Sequence, residues 1–137
     1  MMRRGSRPTP AHFDKGSISA FVVVMTLIVI VCAGLAVDGA RIIGTKVGAA
    51  DHAENAARLA AQELASVHGG ELVLDPGRAR AAANAYLSAH GLSGFVTVTP
   101  EQVTVTVSQT VNMTLLSLVG MSTKTVTATR SSAPASQ

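Results

Sequence analysis

Aromatic residues are scarce in this sequence: its 137 residues include no tryptophan, one tyrosine and three phenylalanines. Proteins that bind single-stranded nucleic acid without sequence preference stack the bases on aromatic side chains, and this chain has too few of them for such a surface. The net charge of +3 is small, and the basic residues form no run of five or more. We therefore predict no nucleic-acid partner.

Cysteine is rarer still, because Cys32 is the single one and no intrachain disulfide can form. A lipoprotein site would need a small residue directly before the cysteine. Val31 occupies that position, which argues against lipidation. We interpret Cys32 as a small apolar side chain within an apolar run.

Patterns that carry catalysis or metal binding are also missing. His12, His52, His68 and His90 are scattered, without the spacing of metal ligands. The sequence has no glycine-rich phosphate loop and no nucleophile elbow. We predict that the protein is not an enzyme and has no catalytic residues, no metal, no cofactor and no small-molecule substrate.

What the sequence does contain is a long apolar run. Residues 17–37 include no charged side chain, and as a helix they would extend about 30 Å, the thickness of the hydrocarbon core of a bilayer. The basic residues that precede the run indicate a cytoplasmic N-terminal side. The run therefore predicts a single-pass transmembrane helix at 17–37, after a basic cytoplasmic leader at 1–16, with the C-terminus extracytoplasmic. Those basic residues are Arg3, Arg4, Arg7 and Lys15.

A cleavable secretory signal is the alternative interpretation of the same run. Gly34-Leu35-Ala36 imitates the small-x-small site of signal peptidase, and cleavage there would release a small secreted protein that begins near Val37. The length of the run favours retention, because the apolar region of a signal peptide usually has only about 7–15 residues.

Polar residues return abruptly after the run, at Asp38 and Arg41. We name these two as a membrane-edge polar contact. Asp38 could cap a helix that begins beyond the span, with Arg41 or Lys46 as its partner, or it could contact another subunit at the bilayer surface. Gly39 could interrupt the helix here, and the sequence leaves its continuity open.

An alanine-rich segment follows and predicts an extracytoplasmic helix over 38–68, ended by His68-Gly69-Gly70. A stripe of small residues at helical spacing would permit close approach to other helices, so we name it a helix-packing interface. The alternative is an amphipathic helix that lies on the chain's own small sheet. The stripe consists of Ala49, Ala53, Ala56, Ala60 and Leu64, followed by Val67.

Residues 69–130 predict a small domain with one helix and an antiparallel sheet. Asp75 is a natural cap for a second helix that Pro76 opens and Gly91 stops. Valines then alternate with threonines and predict three strands. The apolar patch at 115–119 is either a buried turn or a contact surface, and residues 131–137 are expected to form a disordered tail. The predicted fold class is α+β and pilin-like, with a long N-terminal helix.

The chain resembles the TadE/TadG-like, pseudopilin-like family of tight-adherence (Flp-type) pilus assembly, particularly its short actinobacterial members. Four segments carry the resemblance and together cover most of the chain after the first dozen residues. They are DKGSISAF from Asp14, GLAVDGARI from Gly34, AADHAENAARLAAQELA from Ala49 and VTVTVSQTVNMTLLSLVGMSTKTVTATR from Val103.

The resemblance implies a pilin-like component or assembly factor of a pilus or related secretion machine. Its implied partners are other pilin-like or pilus-assembly proteins, membrane lipid and prepilin peptidase, which would cut between Gly16 and Ser17. Pilins usually carry glutamate five residues into the mature chain, but here Phe21 holds that position. This departure makes the TadG-like members, which often lack the glutamate, the closer model.

Two other functions stay open at this point. One is a membrane-anchored extracellular accessory or binding domain that enters no filament. The other is the small secreted protein that cleavage near Val37 would release.

Overall fold

A computed structural model describes residues 14–68 and 71–134, and the side chains within 18–63 and 74–134. The described residues form a long helix, a two-stranded hairpin, a second helix and a three-stranded sheet, so the predicted α+β class is confirmed. In chain order the elements are α1 (Asp14–Ala61), β1 (Leu64–His68), β2 (Glu71–Leu74), α2 (Pro76–Ala89), β3 (Ser93–Val98), β4 (Val103–Asn112), a 3₁₀ turn (Leu116–Val119) and β5 (Thr123–Ser132).

Helix α1 is continuous over 48 residues, which corresponds to about 72 Å at 1.5 Å per residue. It passes through Gly39 without a break, so the question that the sequence left open is settled in favour of one rod. A single glycine costs only about 1 kcal/mol in a helix interior, which the helical turns on either side of it readily offset.

The predicted end of this helix was wrong, because α1 stops at Ala61 and Leu64–His68 is strand β1. The last turn tightens, with the amide of Glu63 donating to the carbonyl of Ala60 at 3.2 Å. Strand β1 then pairs antiparallel with β2 and has Val67 opposite Leu72. Leu64 and Val67 have helical spacing in the sequence, but backbone pairing with β2 determines their extended conformation. Gly69 and Gly70, the expected cap, lie outside the described residues.

Helix α2 begins and ends as the sequence predicted. The side chain of Asp75 accepts hydrogen bonds from the amides of Gly77 at 2.9 Å and Arg78 at 3.1 Å, and Pro76 occupies the first turn. At the other end Gly91 has a φ of +63°, a conformation that glycine adopts without steric cost. These two signals act locally, which is why the sequence alone was sufficient.

The three strands form an antiparallel sheet, as predicted, and their order is β3-β4-β5. The valines of β4 that face α1 are buried, while its threonines face outward and pair with β5. The hydroxyl of Thr104 lies 2.8 Å from that of Ser131. Strand β5 therefore includes Ser131 and Ser132, which corrects the expected disordered tail at 131–137; residues 135–137 lie outside the described part.

The core lies where the outer half of α1 and helix α2 cover one face of this sheet. It is built mainly from small side chains, alanines on the helices and valines on the strands, so the helices approach the sheet closely. Its principal members are Ala49, Ala53, Ala56, Ala57, Ala60, Leu74, Ala79, Ala83, Leu87, Val103, Val105 and Val107.

The inner half of α1 has no such cover. All residues from 18 to 33 are exposed, and most of them are large and apolar. Within the described part of the chain, α1 is the one helix long and apolar enough to cross a membrane. The fold is thus a small domain built around one end of a helix whose other end is bare.

Candidate functional site

The candidate site lies where the bare and covered halves of α1 meet, at Asp38. This carboxylate is fully buried and accepts three backbone hydrogen bonds from the β4–β5 loop. One oxygen accepts from the amide of Thr114 at 2.9 Å, and the other accepts from Leu115 at 2.8 Å and Leu116 at 3.0 Å. Asp38 therefore caps the start of the 3₁₀ turn from more than seventy residues away in sequence.

The β4–β5 loop, residues 113–122, is closed at its base and folded on itself. The amide of Met113 donates to the carbonyl of Ser122 at 2.9 Å, and the amide of Met121 donates to Leu116 at 2.9 Å. Gly120 has a φ of +92°, which lets the chain turn back after the 3₁₀ turn. The loop is therefore a compact cap on the sheet with a defined shape.

The electrostatics of the site favour a charged Asp38. The amides of Leu116 and Thr114, followed by that of Leu115 and the nearby charge of Arg41, hold the pKa of the Asp38 carboxyl below its ordinary value of 3.8, against the opposing effect of burial. Arg41 also donates to the hydroxyl of Thr114. Among the described side chains, no buried polar atom lacks a hydrogen-bond partner.

Gly34 completes the site one helical turn closer to the N-terminus. A Cβ at Gly34 would lie 1.6 Å from Cδ1 and 2.3 Å from Cγ of Leu115, so the leucine occupies the space that any side chain would need. On the other side of Asp38, Ile42 packs against the cluster formed by Val111, Met113 and Val126.

The alanine stripe extends into this site. Gly34, Asp38 and Ile42 follow one another at intervals of four and continue the face that carries Ala49 and Ala53. That face is covered by the chain's own sheet and by α2, so Ala49, Ala53, Ala56 and Ala60 are each fully buried within the domain. Leu64, the fifth predicted member, lies in β1 instead.

Residues 16–63 match the family model of TadE/G-like Flp pilus-assembly proteins. Residues 16–63 are a TadE/G-like segment. The match coincides with α1 apart from the first two helical residues, and it extends two residues beyond the helix end. No curated protein and no solved structure matches the chain.

The resemblance predicted from the sequence is thus confirmed over the TadE/G-like segment, and it associates the chain with Flp (tight-adherence) pilus assembly. The family comprises assembly components and is not known as an enzyme family. Such components act together with other pilus proteins, and the long apolar helix agrees with a membrane anchor.

The other predicted residues of the TadE/G-like segment lie in the N-terminal half of α1. Gly16 and Ser17 belong to the first turn of the helix. The side chain of Phe21 is 63% exposed, and Cys32 is exposed as well. None of these positions is close to the Asp38 site in sequence or along the helix, except that Cys32 precedes Gly34 by two residues.

Sequence reasoning found Asp38 and Arg41 but not their role. The expected cap role of Asp38 was wrong, because α1 is continuous through this position and has no helix start there. The contact with another subunit stays a prediction. The partners of Asp38 are backbone amides of an apolar loop, and backbone amides leave no mark in a sequence. The glycine at position 34, four residues before the aspartate, was the one available signal for a close approach.

A second group was also missed: His52 on α1 meets Tyr86 and His90 at α2. The Nδ1 of His52 lies 3.1 Å from the hydroxyl of Tyr86, and the two imidazole rings are 5.3 Å apart. The Nδ1 of His90 lies 2.8 Å from the carbonyl of Tyr86. Over the described residues there is no cluster of three or more histidine, cysteine or acidic side chains that could hold a metal. The group therefore joins α1 to α2 as a polar contact.

Proposed function

We propose that this chain is a membrane-anchored, pilin-like component or assembly factor of a tight-adherence pilus or a related secretion machine. Residues 17–37 would span the membrane, with the N-terminus in the cytoplasm and the sheet domain outside. The observation that carries the proposal is the division of α1 within the TadE/G-like segment. One rigid helix presents a bare apolar half and ends in a half that is covered by its own domain.

The work of such a component would be helix packing with partner subunits. The alanine stripe is enclosed by the chain's own domain, so it offers no surface to a partner while the domain is folded. The exposed surface of residues 18–33 is therefore the better candidate for contacts with other membrane helices. In lipid these contacts depend on close van der Waals packing, since lipid chains are as apolar as the helix itself.

Prepilin peptidase is a proposed partner at Gly16–Ser17. This bond lies in the first turn of α1, where the amides have no intrahelical acceptor. Unwinding one terminal turn would expose the bond without disturbing the rest of the helix. Phe21, in place of the pilin glutamate, favours a component that stays in the membrane as an unprocessed assembly factor.

The decisive experiment is to identify the N-terminal residue of the mature protein by mass spectrometry of membrane and extracellular fractions. A start at Ser17 would indicate a processed pseudopilin, and Gly16→Leu should then abolish it. An intact N-terminus in the membrane would indicate an anchored assembly factor. A product in the medium that begins near Val37 would contradict the proposal and indicate a small secreted protein.

The packing surface can be tested through Cys32, the chain's single cysteine, which is exposed on the bare half of α1. Thiol-specific crosslinking in intact membranes should join it to a cysteine placed in the apolar helix of another pilus-assembly protein. Cys32→Ser is the matched control and should remove the adduct. Absence of adducts with every pilus component tested would contradict packing through this surface.

A further inference from the structure

We propose that the tip of the β4–β5 loop, residues 115–121, inserts into the outer leaflet of the membrane beside α1. The domain would then contact lipid at two places, through the span and through the loop. This inference rests on the proposed membrane anchor, and it assigns a lipid-binding role to a segment outside the TadE/G-like match.

The position of the loop along α1 is the first argument. Leu115 packs on Gly34, which lies three residues inside the apolar run 17–37, or about 4.5 Å below its outer end at 1.5 Å per residue. If the run spans the hydrocarbon core, Leu115 is at the depth of the outer leaflet. Only lipid or another apolar surface can surround the loop at that depth.

The direction of the sheet explains how the loop reaches this depth. One end of the sheet lies at the end of α1, where Ala61 and Ser132 line the same shallow surface depression. At the other end, Val111 and Met113 pack against Ile42. Strand β4 extends about 30 Å at 3.4 Å per residue, which matches the distance along α1 from Ala61 to Ile42, about 28 Å. The strands therefore run along the helix, and the β4–β5 loop projects towards the span.

The composition of the tip is the second argument. Residues 115–121 read LLSLVGM and carry no charge. Leu118 is 79% exposed, Val119 is 75% exposed and Met121 is 50% exposed. The outward face of β4 and β5 is lined by threonine and serine instead, and Phe95 is the large apolar side chain that β3 exposes beside them. Large apolar side chains are thus exposed on the part of the domain that is closest to the bare half of α1.

Several polar groups of the loop already have hydrogen-bond partners, which makes entry into a bilayer less costly. Asp38 accepts from the amides of Thr114, Leu115 and Leu116. The hydroxyl of Ser117 donates to the carbonyl of Thr114 at 2.6 Å. The carboxylate is itself compensated by these donors and lies near Arg41 at the membrane edge. Lipid is the favoured occupant because the exposed side chains of the tip are apolar and Leu115 at its base packs on Gly34, within the run proposed to span the membrane.

The absence of tryptophan from the chain permits a direct test. Leu118→Trp places a single reporter on the loop tip of the full chain. Phe95→Trp is the matched control, since Phe95 is also 79% exposed but lies halfway along the edge strand β3, where it pairs with Thr106. Val29→Trp reports on the span. Each variant is reconstituted in phosphatidylethanolamine–phosphatidylglycerol vesicles without bromine, and in vesicles whose acyl chains carry bromine atoms both close to the headgroups, for the loop, and near the chain ends, for Val29→Trp.

The expected result is a blue-shifted emission from Leu118→Trp and loss of most of its intensity in the brominated vesicles. Phe95→Trp should emit as in water and be unaffected by bromine. Circular dichroism of each variant checks that the fold is retained, which is expected because both replaced side chains are exposed.

Two results would overturn the loop proposal while leaving the anchor intact, provided that Val29→Trp is shifted and quenched. A water-like, unquenched Leu118→Trp would place the loop in solvent. A blue-shifted but unquenched signal would indicate that protein, such as a second copy of this chain, covers the loop. If Val29→Trp is neither shifted nor quenched, the membrane anchor itself is wrong.

Discussion

The two halves of α1 have the same backbone and opposite surroundings. Residues 18–33 are exposed and carry valine, isoleucine, leucine and methionine. The outer half carries alanine on one face, and those alanines are fully buried. On α1, the largest apolar side chains therefore lie outside the protein core, and the smallest lie inside it.

This contrast shows that side-chain size, more than hydrophobicity, separates the exposed surface of α1 from the surface that faces the sheet. Large apolar side chains contribute most when they leave water for hydrocarbon. Alanine contributes little area, but it lets a helix approach a valine-covered sheet closely, where dispersion contacts are dense. Enlarging a side chain on the buried face should therefore lower the free energy of unfolding, whereas shortening a side chain in the exposed half should leave it almost unchanged.

The largest effect is expected from enlarging the buried face. Ala56→Leu inserts three carbon atoms between α1 and its own domain, where Ala56 is fully buried, and should cost about 3 kcal/mol of unfolding free energy. Urea titration in detergent micelles measures this loss. Leu59→Ala, at a position of the same helix that is 43% exposed, is the control and should cost about 1 kcal/mol or less. Equal effects would contradict the packing described for this face.

The next effect is expected at the junction of the two halves. Asp38→Asn keeps the shape of the side chain but removes the charge and replaces one acceptor oxygen with a donor, so at least one loop amide loses its partner. Amide hydrogen exchange at Thr114, Leu115 and Leu116 should accelerate markedly. Asp51→Asn, on the exposed side of the same helix, should leave these amides unchanged. Unaltered exchange in Asp38→Asn would show that the carboxylate does not hold the loop.

Acid should loosen the same contact in the unaltered protein. Because the pKa of Asp38 is lowered in the folded state, its contribution to stability is complete above the unfolded value near 3.8 and is lost as the pH falls through the lower folded value. Exchange at the three loop amides, corrected for the intrinsic pH dependence, should therefore rise below about pH 4. Asp38→Asn should abolish this acid-dependent change.

Smaller changes in stability are expected at two glycines that lie five residues apart, and the two changes should have opposite signs. Gly34→Ala places a methyl group against Leu115, and the displacement of the leucine should cost about 1 kcal/mol after the gain in helix propensity. Gly39→Ala meets nothing within 4 Å, so it should stabilise the protein by up to about 1 kcal/mol. Thermal unfolding followed by circular dichroism compares them. Stabilisation by both would mean that the loop does not rest on Gly34.

The smallest effect is expected in the bare half. Leu27 is 57% exposed and belongs to the inner half of α1, so Leu27→Ala should change the unfolding free energy of the domain by less than about 0.5 kcal/mol. The same urea titration provides the measurement. A loss comparable to that of Ala56→Leu would indicate that the bare half is covered in the isolated protein.

The sequence predicted those features that depend on local signals. The cap at Asp75 and Pro76, the stop at Gly91 and the alternating valines of β4 each have a pattern that a few neighbouring residues define. The helix end at Ala61 was missed because Leu64 and Val67 keep the helical spacing, whereas pairing with β2 decides their conformation. Asp38 was found but its role was missed, because its hydrogen-bond partners are backbone amides of a loop that is distant in sequence.

The continuity of α1 through Gly39 also fixes the angle, about the helix axis, between the sheet domain and the bare half of α1. Gly34, Asp38 and Ile42 lie along one side of the helix, and the sheet domain is fastened to that side. A rotation of the domain about the helix axis must therefore turn the bare half by the same amount. In an assembly, the azimuth of the domain outside the membrane would decide which flank of the helix faces a neighbour inside it, and a twist applied at one end would arrive at the other as torque.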